Sequence, residues 1–392
     1  MKGPQIAKVR RIKRMEKQLS RFFEVVQNPY DYLANWKQST KRKIIGIYPM
    51  NLPEELVHAA GMLPATMWRD ENPVTEGDAH LTIYNCALSR TVVDDIVRGK
   101  LPFLDGIVIH LTCLQSRGIA YIIERKTSLP LYERLYLPAI PTSPLAKEFL
   151  VHSFGKMKNS LEKLSGQKIT AESLENSIRI YNRDRALLRK LYQLRRRKPG
   201  ILKAKEVSAI VQSSMLMPKE EHSQLLEELL PELEKREIPK GERKRLILVG
   251  CLCQTPHNAI LDLIEDAGGC FVDDYTYVGY QYFANDVELG GDPLHSLADL
   301  YLKRDPVFLT KSSWEANWSE DVIKMAKANN ADGVIYYVMM YCPPLMMYVP
   351  DLYDELEKAK IPELVLEIEH DIPSIEKVKT EVTAFMEMLK GG

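Results

Sequence analysis

No stretch of about 18 apolar residues occurs in this sequence, so nothing in it is built to cross a bilayer as a helix. Net charge is also absent: 53 Lys and Arg balance 53 Asp and Glu. A phosphate-rich polymer is therefore not an expected partner, and any anionic ligand has to be met by local basic groups. No GxxxxGK[ST] loop is present, so ATP hydrolysis, if the function needs it, belongs to another chain. Cysteines are few, six in 392 residues, and none of them forms the CxxC pair of a zinc site. The start, Met1 to Phe23, has neither the apolar core nor the small-residue cleavage site of a signal peptide. It is basic and amphipathic (Arg10, Arg11, Lys13, Arg14, Lys17) and reads as a solvated helix. The expected location is the cytoplasm, where thiols stay reduced and six cysteines do not build a disulfide framework.

What is present is an alternation of short apolar runs and helical stretches. The length suggests two or three compact units. Lys43–Tyr48 (KIIGIY) predicts a buried strand, and Pro53–Ala60 predicts a helix closed by Gly61, with Asn51 as cap and Pro53, Glu54 and Glu55 in the first turn. Gly106–His110 (GIVIH) predicts a second strand, followed by a helix over Arg117–Arg125. The proline-rich segment Leu129–Pro144 then punctuates the chain. From Leu145 to Lys240 the pattern is charged and helical, with apolar residues at three and four spacing and breaks at Pro199-Gly200 and Pro218. Strands return at Arg245–Gly250, Cys270–Asp274, Gly333–Val338 and Leu364–Ile368. The expected organisation is an N-terminal helical segment (1–40), an α/β domain (41–145), a helical module (146–240) and a second α/β domain (241–392). Alternating strands and helices argue for parallel, doubly wound sheets.

Open parallel sheets bind ligands beyond the carboxyl ends of their strands. Cys113 and Cys342 each lie just past such an end, one in each α/β region, and Cys86 precedes a helical stretch that can enter the same cleft. Three thiolates on one iron–sulfur cube would leave one iron open, because such cubes normally take four cysteines. From spacing alone, isolated buried thiols remain the commoner use of such residues. The same applies to Cys251, Cys253 and Cys270, for which a supporting position near a cofactor is the second reading. Glu55 suits a helix start on dipole grounds and is also a candidate general acid or base. His58 reads as a packing residue. The run Arg195-Arg196-Arg197-Lys198 reads as a solvated helix end rather than a phosphate site. Asp273-Asp274 and the aromatics Tyr275, Tyr277, Tyr280, Tyr282 and Phe283 read mainly as packing, with an acyl pocket as the other use. Met339, Met340, Met346 and Met347 would give a dry wall beside Cys342.

The stretch Tyr48–Pro64 (YPMNLPEELVHAAGMLP) resembles the signature of the benzoyl-CoA reductase and 2-hydroxyacyl-CoA dehydratase family. The likeness continues at Ile180–Arg183, Gly268–Asp274, Gly291–Leu294 and Ala331–Ile335, and so spans almost the whole chain. It implies two flavodoxin-like domains with a helical module between them. It also implies a [4Fe–4S] cluster held by Cys86, Cys113 and Cys342, with the family's helix-start glutamate at Glu55. Ile180–Pro199 and Gly250–Asp274 look closest to the smaller cluster-bearing subunit of the ATP-dependent benzoyl-CoA reductase. Leu114 and Pro343 stand where the family often has aspartate.

The resemblance implies single-electron reduction of an aromatic acyl-CoA, with a related cluster-bearing subunit and an ATP-hydrolysing iron–sulfur activator as partners. The alternatives are a 2-hydroxyacyl-CoA dehydratase subunit or a non-catalytic electron relay. Neither nucleic acid nor a membrane is an expected partner.

Overall fold

The computed structural model describes residues 3–67, 73–138, 140–238, 240–306, 317–369 and 375–391, with side chains described from residue 14 onward. Met1 and Lys2, and the side chains of Arg10, Arg11 and Lys13, lie outside the described residues. Two helices open the chain, α1 (Gly3–Gln27) and α2 (Pro29–Thr40). Then come β1 (Ile44–Tyr48), α3 (Glu54–Ala59), β2 (Leu63–Thr66), α4 (Ala87–Val97), β3 (Gly106–His110), α5 (Leu114–Lys126) and β4 (Leu131–Leu135). Helices α6 (Ala146–Ser165), α7 (Ala171–Arg197), α8 (Ala204–Ser214) and α9 (Lys219–Glu234) follow. The remainder holds β5 (Lys244–Gly250), α10 (Asn258–Asp266), β6 (Gly269–Tyr275), α11 (Pro293–Leu302) and α12 (Trp318–Ala328). It closes with β7 (Gly333–Met339), α13 (Pro343–Met346), α14 (Val349–Lys358), β8 (Glu363–Ile368) and α15 (Ile375–Gly391).

The strands form two all-parallel sheets ordered β2-β1-β3-β4 and β6-β5-β7-β8. This is the flavodoxin-like order, twice over. Inner strands β1, β3 and β7 are buried along their whole length because helices cover both faces, which is why they read as continuous apolar runs. The edge strands β2 and β4 carry weaker patterns. Pro64 sits in β2, where an edge tolerates its missing N–H, and β4 (LYERL) is buried only at its ends. The segment expected to be only a proline-rich break thus contains a strand.

Helix α7 is the spine between the sheets. Leu174, Ile178, Tyr181, Leu188, Leu191 and Tyr192 recur at three and four spacing and are buried, and Thr170 caps the helix by accepting the Ser173 N–H at 3.1 Å. It packs against α3 on one side and β6 on the other, so one apolar cluster runs from Ile44 through Leu188 to Ile247. Its basic end is not solvated as expected. Arg195 reaches Asp274 at 2.9 Å and Arg196 reaches Asp273 at 2.7 Å, both carboxylates being buried at the end of β6. Only Arg197 and Lys198 turn to the surface, toward Glu234. Among the described residues no helix is long and apolar enough to cross a membrane.

Candidate metal centre

Strand ends and helix starts set the position of each thiol. Strand β3 ends at His110 and β7 at Met339, and each is followed three residues later by a cysteine, Cys113 and Cys342. The two strands hold the same place in the two sheets. Cys113 is the N-cap of α5, Cys342 of α13 and Cys86 of α4, so all three thiols sit where unpaired backbone N–H groups gather. Helix starts favour thiolate over thiol. The Ser116 N–H donates to Cys113 Sγ at 3.4 Å, and Ser116 Oγ accepts the Cys113 N–H at 3.0 Å. Cys86 Sγ lies 3.1 Å from Ser89 Oγ, which in turn lies 3.1 Å from the Tyr48 hydroxyl at the end of β1. Tyr336 at mid β7 donates to the Leu345 carbonyl at 2.8 Å and so pins the turn that carries Cys342.

The thiols act on one another electrostatically. Burial pushes the Cys86 thiol up to about 11, with the Ser89 and Leu88 groups opposing and the Cys113 sulfur adding to it. Burial raises Cys342 further, with Cys86 and Cys113 contributing and only the Leu345 N–H pulling back. Burial raises Cys253 well above its ordinary value, and Cys342, Cys113, Cys86 and Cys251 add to it. Cys251 is packed in an apolar cluster with Leu248, Ile260 and Met339, against which Cys342 also packs, and Cys270 lies on β6 near Arg195 and Glu265.

One side chain that the sequence did not flag ties these loops together. Gln115 Nε2 donates to the Tyr341 carbonyl at 2.6 Å and the Tyr84 carbonyl at 3.3 Å, while its Oε1 accepts the Cys86 N–H at 3.2 Å. Gln115 lies in the first turn of the helix that Cys113 caps, so it holds the backbones beside the other two thiols. Tyr84 and Tyr341 also meet edge to face at 5.6 Å. The methionine wall forms only in part: Met339 is buried, but Met347 is 75% exposed.

The donor set fits an iron–sulfur cluster. Soft sulfur ligands select such clusters, and thiols with raised pKa give up their protons to a metal on binding it. Among the described residues no three His, Cys, Asp or Glu are arranged to hold a single metal ion. Cys86, Cys113 and Cys342 are instead within electrostatic reach of one another.

Glu55 lies elsewhere, in a buried network. It is 1% exposed and paired with Arg185 of α7. Beside it Glu54 accepts the Tyr282 hydroxyl at 2.9 Å and lies 3.5 Å from Lys219 of α9, which also donates to Tyr282 and Ser214. Asp184 completes the network, 2.5 Å from His222 Nδ1 and 2.7 Å from Ser214 Oγ. Burial raises Glu54 despite Lys219.

Asn51 is not the cap of α3, since Pro53 holds that position. The Asn51 backbone is left-handed (φ 61°), and its N–H goes to the Tyr277 hydroxyl at 3.0 Å. His58 packs as expected, 2.8 Å from Ser177 Oγ and edge-on to Tyr181. The aromatics after β6 are largely buried among Tyr192, Trp318 and one another, rather than around an open pocket. A cavity of about 570 Å³ lies between Phe23–Asp31 and Gln254–Asn258, and no cysteine lines it.

The sequence model of the 2-hydroxyglutaryl-CoA dehydratase D-component matches residues 49–389. The (R)-phenyllactyl-CoA dehydratase beta subunit of Clostridium sporogenes is 28% identical over 94% of this chain and 97% of its own length. A benzoyl-CoA reductase subunit from Thauera aromatica is 27% identical over the same shares. The lactoyl-CoA dehydratase beta subunit of Anaerotignum propionicum is 26% identical over 96% of this chain and all of its own.

Proposed function

This chain belongs to the 2-hydroxyglutaryl-CoA dehydratase D-component family, as a subunit of the benzoyl-CoA reductase or 2-hydroxyacyl-CoA dehydratase kind, and from that premise we propose its more specific role. It serves an ATP-dependent aromatic acyl-CoA reductase of the benzoyl-CoA type, in which Cys86, Cys113 and Cys342 would hold a [4Fe–4S] cluster that would supply low-potential single electrons for the thioester-activated ring. The observation that supports this most is that Gln115, in the helix capped by Cys113, bridges the backbones beside Cys86 and Cys342, so that loops of the two sheets carrying the three thiols meet. Bound there, the cluster supplies reversible one-electron chemistry.

The chain's own residues prepare the space. Gln115 ties the loops that carry the thiols to one another, and Leu345, Met339 and Tyr48 form buried packing in the same region. Glu55 is the proton-handling group in this reading, held in place by Arg185. A related cluster-bearing subunit and an ATP-hydrolysing iron–sulfur activator complete the enzyme, because this sequence has no phosphate-binding loop of its own. The place of action is the cytoplasm.

A second reading, a 2-hydroxyacyl-CoA dehydratase, is favoured by the names of the relatives from C. sporogenes and A. propionicum. Incubation of the reconstituted complex with an aromatic acyl-CoA and with a 2-hydroxyacyl-CoA separates the two. Ring reduction with stoichiometric electron consumption supports the reductase. Dehydration without net electron consumption overturns it.

A further inference from the structure

We propose that the cavity between the α1–α2 junction and the loop after β5 is a small-molecule site that takes a neutral ligand by an amide group. No cysteine lines it, so the site stands apart from the reading of Cys86, Cys113 and Cys342 as metal ligands.

Its place in the fold is the first support. Strand β5 has β6, its successor in the chain, on one side and β7 on the other. Open parallel sheets bind ligands at such a switch point, beyond the carboxyl ends of the strands. The loop after β5 is held there. Gly250 has φ 101°, and a Cβ on it would stand 2.2 Å from the Tyr337 carbonyl oxygen of β7. The Cys251 N–H donates to that carbonyl at 3.2 Å, and the His257 N–H donates to the Tyr337 hydroxyl at 3.4 Å. From α8, Gln212 Nε2 donates to Thr255 Oγ1 at 2.7 Å and to Ser208 Oγ at 3.0 Å. Two walls of the cavity are thus fixed to each other before any ligand arrives.

Those walls leave particular bonds unmade. Gln254 lines the cavity and is 6% exposed, yet its Oε1 has no hydrogen-bond partner among the described residues. A buried acceptor in that state has lost water without replacing it. Three residues on, His257 opens the nine-residue helix α10, and no side chain caps the N–H groups of its first turn. Gln254 lacks a donor and α10 lacks an acceptor. One amide supplies both, its N–H to Gln254 and its carbonyl oxygen to α10.

Charge argues against an anion. Lys205 at the cavity wall is already paired with Asp262 at 2.8 Å, and the Asp31 carboxylate lines the same cavity. An anion would also bring no proton for Gln254. Phe23, Val26, Pro29, Ala209 and Pro256 offer apolar surface to the rest of the ligand. The volume of about 570 Å³ lies within the range of about 300–1,000 Å³ usual for small-molecule sites. Two sources supply such an amide: the pantetheine arm of a coenzyme A thioester, and a free carboxamide of the nicotinamide kind.

The test is calorimetric titration of the full chain, kept anaerobic, with pantetheine, nicotinamide and nicotinate, for wild type, Gln254→Leu and Ser208→Trp. Wild type is expected to bind at least one of the two amides and to bind nicotinate more weakly than nicotinamide. Gln254→Leu weakens amide binding about tenfold, the order of one buried hydrogen bond, and Ser208→Trp fills the cavity and abolishes it. Tighter binding of pantetheine identifies the thioester as the source, and tighter binding of nicotinamide identifies the free carboxamide. Absence of binding by both amides overturns the proposal, as does nicotinate binding more tightly than nicotinamide. Both of those results come from the wild type, so a variant that fails to fold does not block the test. Amide binding unchanged in folded Gln254→Leu and Ser208→Trp also overturns it.

Discussion

The two sheets repeat one strand order, yet they furnish their equivalent strand ends with different chemistry. Three residues beyond β3 and beyond β7 both sheets place a cysteine. Three residues beyond β1 the first sheet has Asn51, whereas beyond β5 the second has Cys253. The helices behind the thiols differ too: Cys86 and Cys113 cap helices of 11 and 13 residues, but Cys342 caps one of four. The fold fixes where donors stand, and the residues chosen there decide how ready each is to ionise. Burial pushes the Cys86 thiol beside the first sheet up to about 11 and raises the Cys342 thiol of the second further.

The sheets are alike in how they are fastened. Helix α7 sends Arg185 to Glu55 of the first and Arg195 to Asp274 of the second, and all four residues are buried. Removing one partner strands a buried charge, which costs about 3–5 kcal/mol. Arg185→Ala and Arg195→Ala are both expected to lower unfolding stability by that order in denaturant titration. A loss confined to one of them would break the symmetry of the fastening.

The next effect concerns activity. Glu55→Gln keeps the shape of the pair with Arg185 but removes the carboxylate, and is expected to slow turnover of the assembled enzyme by about 100-fold or more with its iron content intact. Unchanged turnover would leave Glu55 as a fastening residue alone, like Asp274.

Thiol reactivity sharpens the comparison directly. In cluster-free protein at alkaline pH, iodoacetamide is expected to label Cys86, pushed up to about 11, faster than Cys342, which burial and two neighbouring sulfurs raise further. Peptide mass spectrometry over time reads the order, and equal rates would contradict the difference between the sheets.

The smallest expected effect is in acid. Burial pushes the Asp184 carboxyl up, but His222, Lys219 and Ser214 outweigh it and hold it down at about 2, against an ordinary 3.8. A lowered folded-state value means stabilisation that is present above about pH 4 and is lost as pH falls toward 2. Asp184→Asn is expected to remove that part of the acid dependence of unfolding. The same slope in both proteins between pH 4 and 2 would contradict the pairing.

Much of the fold was legible because inner strands covered on both faces read as unbroken apolar runs, as in KIIGIY and GIVIH. Edge strands β2 and β4 were not, since Pro64 and the half-exposed LYERL lack that pattern. Strand-end position brought Cys113 and Cys342 into view from sequence. Gln115 carried no signal, because its role depends on two carbonyls and an amide supplied by loops distant in the chain. Arg195 and Arg196 looked solvated because a run of charge says nothing about buried partners 76 or more residues away in sequence.

The most direct measurement is iron and sulfide analysis of the anaerobically reconstituted chain carrying Cys86→Ala, Cys113→Ala or Cys342→Ala. Each variant is expected to lose most of the iron and the visible absorption that the wild type holds. A full complement of iron in all three would contradict the claim that these thiols, drawn from both sheets, hold one cluster.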